Sequence, residues 1–220
     1  MRSKSKRYAG HVLQIEPKRM ELREALTQIA EIRRQMAKSD VFRGYRSAPV
    51  AVSGGLAVCG AIVQPFLVPD PAADIMTYLT LWIGIALLSV TAVAVEMGVR
   101  MYWTADWAYL EPTRLAVEQF VPPMIAGMLL TVVLVRHAPE NISLLPGLWQ
   151  ILFSLGIFAS ARLLPRAIFA VAGLYLFTGI IVVIWARGGV SLEPWCMGVP
   201  FAVGQFAAAV ILYWTLERRG

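Results

Sequence analysis

The chain has 220 residues, 58% of them hydrophobic and 15% charged, with a net charge of +6 and a mean hydropathy of +0.62. A soluble domain carries roughly 25% charged residues, so this composition excludes an ordinary water-soluble globule and calls for lipid as solvent. Two cysteines, Cys59 and Cys196, fall too far apart along the spans described below for a structural disulfide, and no metal-ligand spacing uses them.

Residues 1–46 hold twelve Lys/Arg against five Asp/Glu, a net of +7, whereas 47–220 hold eight against nine. The basic character therefore belongs to an amino-terminal arm, expected to lie against anionic lipid headgroups at a gain of about 1 kcal/mol per cation. Within the arm, Pro17–Ser39 reads as an amphipathic helix. Leu22, Ala25, Ile29, Ile32 and Met36 fall three and four apart and form one apolar seam. Pro17 suits the first turn, and acids early with cations late suit the helix dipole. The seam has two readings: it packs on the protein's own cytosolic loops or the membrane, or it meets a partner protein or a second copy. Two to three heptads are short for an independent coiled coil. No nucleic-acid motif accompanies the basic arm, so no nucleic-acid partner is expected.

Six apolar runs follow, each long enough to cross about 30 Å of hydrocarbon. They lie near 48–68, 76–98, 115–135, 145–161, 167–186 and 196–216. The predicted fold is therefore all-α, a polytopic integral membrane protein with a six-helix bundle over 47–220 and the basic arm and helix over 1–46. Eighteen of the twenty Lys/Arg fall on one side of these runs and two, Arg136 and Arg187, on the other. The positive-inside rule then places both termini in the cytoplasm. Between the second and third runs, Met101–Thr113 is rich in Tyr and Trp and is expected to lie in the interface. Pro122–Pro123 are expected to kink or delay the third span and Pro200 to bend the sixth. Gly156/Ser160, Gly198/Ala202 and Gly204/Ala208 are small pairs four apart that let helices approach. Trp82 is the one tryptophan that does not sit at a boundary.

The sharpest polar feature is four charges at the cytosolic ends of spans two and three: Glu96 and Arg100, Arg114 and Glu118. Each pair is four apart, so two intrahelical ion pairs account for them. Alternatively, they form a vestibule in which Glu96 or Glu118 handles a proton or a cation, because ionisable groups in spans face protein or water. Gln64, Gln119, Gln150, Gln205, Ser53, Ser89, Ser154 and Thr178 could line a polar path. Gln205, near the middle of span six, is the foremost of them, although interhelical hydrogen bonding explains such residues equally.

No catalytic set is complete, and no cofactor is expected. Glu96-x-x-x-Arg100 has a superficial similarity to the glutamate–arginine motif of intramembrane CAAX-type proteases, but Val95 precedes Glu96 where a second glutamate is needed. The two histidines, His11 and His137, lie outside the spans. A rhomboid-type serine site lacks its Gly-x-Ser-Gly.

The stretch LTQIAEIRRQMAKSDVFRGYRSAPVAVSG (Leu26–Gly54) resembles the start of uncharacterised bacterial multi-span inner-membrane proteins, in which a short cytosolic helix runs into several spans. The resemblance implies a bacterial inner-membrane location and carries no activity. The sequence thus points to a non-enzymatic interaction or regulatory subunit acting through its cytosolic helix, or alternatively to a small ion- or proton-coupled transporter or channel using the Glu96/Glu118 cluster.

Overall fold

The computed structural model describes residues 28–29, 47–104, 110–160 and 164–218. Two compact units divide the chain, 1–41 and 42–220. In the first, Gln28 and Ile29 are helical and exposed, and Leu22, Ala25, Ile32 and Met36 lie outside the described residues. In the second, the regular structure of the described residues is all helical. It comprises α1 (Ser47–Leu67), α2 (Ile75–Thr104), α3 (Leu110–His137), α4 (Leu145–Ser160), α5 (Ile168–Trp185) and α6 (Pro194–Leu212). Six stretches, one in each helix, are long and apolar enough to cross a membrane.

The helix boundaries follow from local chemistry. Asp70 ends the α1 exit by accepting the Ala72 and Ala73 amides on one carboxylate oxygen, both at 3.1 Å. Asp74 then accepts the Thr77 amide at 3.2 Å and caps α2, supplying an acceptor for one of the amides the first turn leaves over. A 3-10 turn, Pro139–Leu144, precedes α4. Two more, Ala186–Gly188 and Val190–Leu192, join α5 to α6 around Gly189. Gly189 holds φ at +74°, the left-handed region that costs an L-residue roughly 1–2 kcal/mol.

Three expectations are refined. Both ends of the segment expected at the interface, Met101–Thr113, are helical, because α2 continues to Thr104 and α3 already starts at Leu110. Pro122 and Pro123 sit inside α3 without ending it. Pro200 likewise sits inside α6, which runs unbroken to Leu212 and passes into a π turn at Tyr213–Glu217, where the Arg218 guanidinium stacks 4.1 Å from the Trp214 ring centre.

The packing order is α2–α1–α6–α5–α4–α3, with α1 on α6 and α4 on α5 the most extensive pairs. Consecutive helices alternate in direction, as two clusters of buried side chains record. The first joins Val68, Tyr78, Trp82, Leu134, Leu145 and Met197, drawn from the end of α1, the start of α2, the end of α3 and the starts of α4 and α6. We call this the far end. The second, at the near end, joins Val50, Ile157, Ile168, Tyr175, Ala209 and Leu212 and includes no buried residue of α2. Accordingly, α2 and α3 bury least, 17% and 6% of their apolar stretches against 44% for those of α4 and α6.

Candidate functional site

The interior is held by amides and hydroxyls that reach across helix pairs. Gln64 of α1 is fully buried. Its Nε2 donates to the Leu192 carbonyl at 2.8 Å, and its Oε1 accepts the Trp82 indole N–H at 2.9 Å. One side chain thus ties α1 to α2 and to the turn before α6, and Trp82 sits away from the boundaries because its N–H has this partner. Gln150 of α4, also fully buried, donates to the Cys196 carbonyl of α6 at 2.9 Å. Ser154 of α4 donates to the Ala172 carbonyl of α5 at 2.8 Å, and Ser191 to the Ser143 carbonyl at 2.7 Å. Trp149 donates to Thr131 at 3.0 Å, joining α4 to α3.

Gln205 belongs to the same set. It is half-buried, and its Nε2 donates to the Tyr175 hydroxyl at 3.3 Å, which in turn donates to the Phe201 carbonyl at 3.4 Å. Around Tyr175 the middle of the bundle is filled by rings. Phe153 stands edge-on to Phe120 (5.2 Å) and to Tyr175 (4.9 Å), with Phe201 at 5.5 Å. Such edge contacts add about 0.5–1.5 kcal/mol beyond burial. Gln205 therefore sits beside this ring cluster, through its bond to the Tyr175 hydroxyl. Ser53 and Thr178 turn back onto carbonyls of their own helices, Pro49 and Leu174. Among the described residues, four buried polar atoms of α2, α3 and α4 have no hydrogen-bond partner: the Tyr78 hydroxyl, Gln119 Oε1, Gln150 Oε1 and the Ser160 hydroxyl.

Small residues set how closely these helices approach. Of the three pairs read from sequence, Gly198 does bring helices together, since a Cβ there would strike Ala61 of α1. Gly156 and Gly204 instead make room for rings, those of Phe120 and Tyr175. The closest backbone approach lies at a pair that sequence reasoning missed, Gly147 of α4 and Gly179 of α5. A Cβ on Gly147 would lie 2.6 Å from the Gly179 carbonyl oxygen, and one on Gly179 would lie 2.8 Å from that of Gly147. Each shares its helix with a second glycine, Gly156 in α4 and Gly173 in α5, and only the tertiary pairing gives it this role.

Of the four charges at the near end, Glu96 is half-buried on α2 and Glu118 is exposed on α3. Arg100 and Arg114 lie on those two helices, with side chains outside the described residues. Among the described residues α2 and α3 share no extended contact. No group of three His, Cys, Asp or Glu comes together as metal ligands among the described residues. Both cysteines are free, Cys59 exposed and Cys196 buried.

No protein-family model, curated protein or solved structure matches this chain.

Proposed function

We propose that this chain is a non-enzymatic integral membrane protein of a bacterial inner membrane, an interaction or regulatory subunit anchored by six spans with both termini in the cytoplasm. Its amino-terminal helix contacts the partner, a second protein or another copy, and its basic arm lies on anionic headgroups. The observation that supports this reading is where the interior polar groups go. Gln64, Gln150, Ser154 and Tyr175 all bind backbone carbonyls of other segments, and a ring cluster fills the middle. Side chains fixed in this way make a rigid anchor, because a polar group released from its partner in an apolar interior is costly. Ile29, 48% exposed on the amino-terminal unit, is the side chain of the seam available for docking.

The test is Ile29→Asp in the full chain, purified in mild detergent, with mass and composition read by light scattering and mass spectrometry. The reading expects the parent to carry a stoichiometric partner or second copy that Ile29→Asp loses while the helical content stays unchanged. A parent that is monomeric and alone, or a variant with unaltered composition, contradicts it.

The half-buried carboxylate of Glu96, inside an apolar stretch of α2, favours one second reading, a proton- or cation-coupled transporter. Under that reading Glu96→Gln or Glu118→Gln abolishes a flux measurable in reconstituted vesicles. Parental flux in both variants, or none in the parent, removes it.

A further inference from the structure

Between α2 and α3, which share no extended contact among the described residues, runs a groove of about 490 Å³, bounded by Met76, Ile83, Gly84 and Leu87 on one wall and by Val132 and Arg136 on the other. Two hydroxyls lie along it, and both are turned away. Thr80 donates to the Met76 carbonyl at 2.8 Å and Thr131 to the Gly127 carbonyl at 2.7 Å, each within its own helix. The wall therefore offers methyl and methylene groups along its length, which suits a hydrocarbon chain and not a polar solute. Gly84 leaves open space where a side chain would stand. The one charged lining residue, Arg136, is exposed at the far end of α3.

The dimensions fit one leaflet. Met76 to Leu87 is eleven steps of α-helix, about 16 Å at 1.5 Å per residue. Half of a hydrocarbon core of about 30 Å is about 15 Å. The groove thus extends from the level of Arg136 to mid-bilayer. It has a cation at headgroup depth and an apolar channel beneath it, the charge and polarity profile of a phospholipid read from phosphate to chain end. Arginine pairs with phosphate through two parallel N–H donors.

The geometry points to a phospholipid site, with one acyl chain seated between α2 and α3 and the phosphate at Arg136. The inference rests on the reading of the six helices as membrane spans. A lipid there covers apolar surface that α2 and α3 leave exposed between them among the described residues.

The experiment is native mass spectrometry of the full chain, released from bilayers of phosphatidylethanolamine and phosphatidylglycerol. The parent is expected to retain one phospholipid. Gly84→Trp, which fills the groove from a position with free space, is expected to lower retention at least tenfold. Val132→Trp does the same from the opposite wall, so the outcome does not hang on one variant. Arg136→Gln is expected to lower it severalfold, while Arg187→Gln leaves it unchanged. Retention unaffected by the tryptophans and by Arg136→Gln, or a parent that keeps only detergent, overturns the site. So does a dimer that the tryptophans split, since the occupant is then a second copy. Recovery of the parent in the aqueous fraction removes the membrane reading itself; an embedded chain with unaltered lipid retention removes the groove site alone.

Discussion

Gly147 and Gly179 face each other across α4 and α5 with each carbonyl oxygen where the other's Cβ would have to be, 2.6 and 2.8 Å away. No rotamer change relieves a clash between a Cβ and a backbone oxygen, so the helices themselves must part. Gly147→Ala and Gly179→Ala are each expected to destabilise the bundle by about 1–3 kcal/mol, the usual cost of overpacking. Gly173→Ala, on α5 where a Cβ meets nothing within 4 Å, is the matched control and is expected to be neutral. Unfolding titrations in mixed micelles measure all three.

Gln64 makes two bonds and Trp82 shares one of them, which fixes an order of effects. Gln64→Leu leaves the indole N–H and the Leu192 carbonyl both without partners. Interhelical bonds in membranes average about 0.6 kcal/mol each, and an orphaned buried group costs about 1–3 kcal/mol. The expected loss is about 1–2 kcal/mol for Gln64→Leu and less for Trp82→Phe. A double-mutant cycle between them is expected to show a positive coupling, and strict additivity would contradict the bond.

Gly189 turns the chain so that Ser191 reaches Ser143 and Leu192 reaches Gln64. Gly189→Ala is expected to cost roughly 1–2 kcal/mol through the left-handed backbone alone. Gly188→Ala serves as the neighbouring comparison. Equal stability of the two variants would show that the turn does not hold the bonds in register.

The cysteines report what covers each face. Cys59 is exposed mid-way along α1 and Cys196 is buried at the start of α6, its thiol 3.1 Å from the Val190 carbonyl. In native membranes a lipid-soluble maleimide is expected to label Cys59 and spare Cys196, and a water-soluble one to label neither. Labelling of Cys196 before unfolding would contradict the far-end packing.

The number of apolar helices was legible because it depends on length and hydropathy, which the chain carries residue by residue, whereas α2 runs to Thr104 and α3 starts at Leu110, beyond the expected 98 and before the expected 115. The predicted span 145–161 and α4, Leu145–Ser160, differ by a single residue. Trp82 stood out from sequence as the tryptophan away from any boundary, but its partner Gln64 lies eighteen residues back on another helix, where no local pattern reveals it. Gln205 was singled out for its depth, and its role as a donor to Tyr175 depends on the α5–α6 pairing. Spans two and three were expected to meet because they are adjacent in sequence, and both contribute to the buried far-end cluster through Tyr78, Trp82 and Leu134, yet among the described residues each packs most extensively on another helix, α2 on α1 and α3 on α4. Helix order is set by side-chain shape, such as a ring over Gly204 or a bare backbone at Gly147, and hydropathy does not record shape.

The account depends most on six helices crossing a lipid bilayer with the cation-rich ends kept in the cytoplasm. Paired alkaline phosphatase and fluorescent protein fusions after residues 46, 71, 105, 141, 163, 190 and 220 test this in one series. Phosphatase activity is expected at 71, 141 and 190, with fluorescence at 46, 105, 163 and 220. Fluorescence at 71 or 190, or phosphatase activity at 105 or 163, would contradict it.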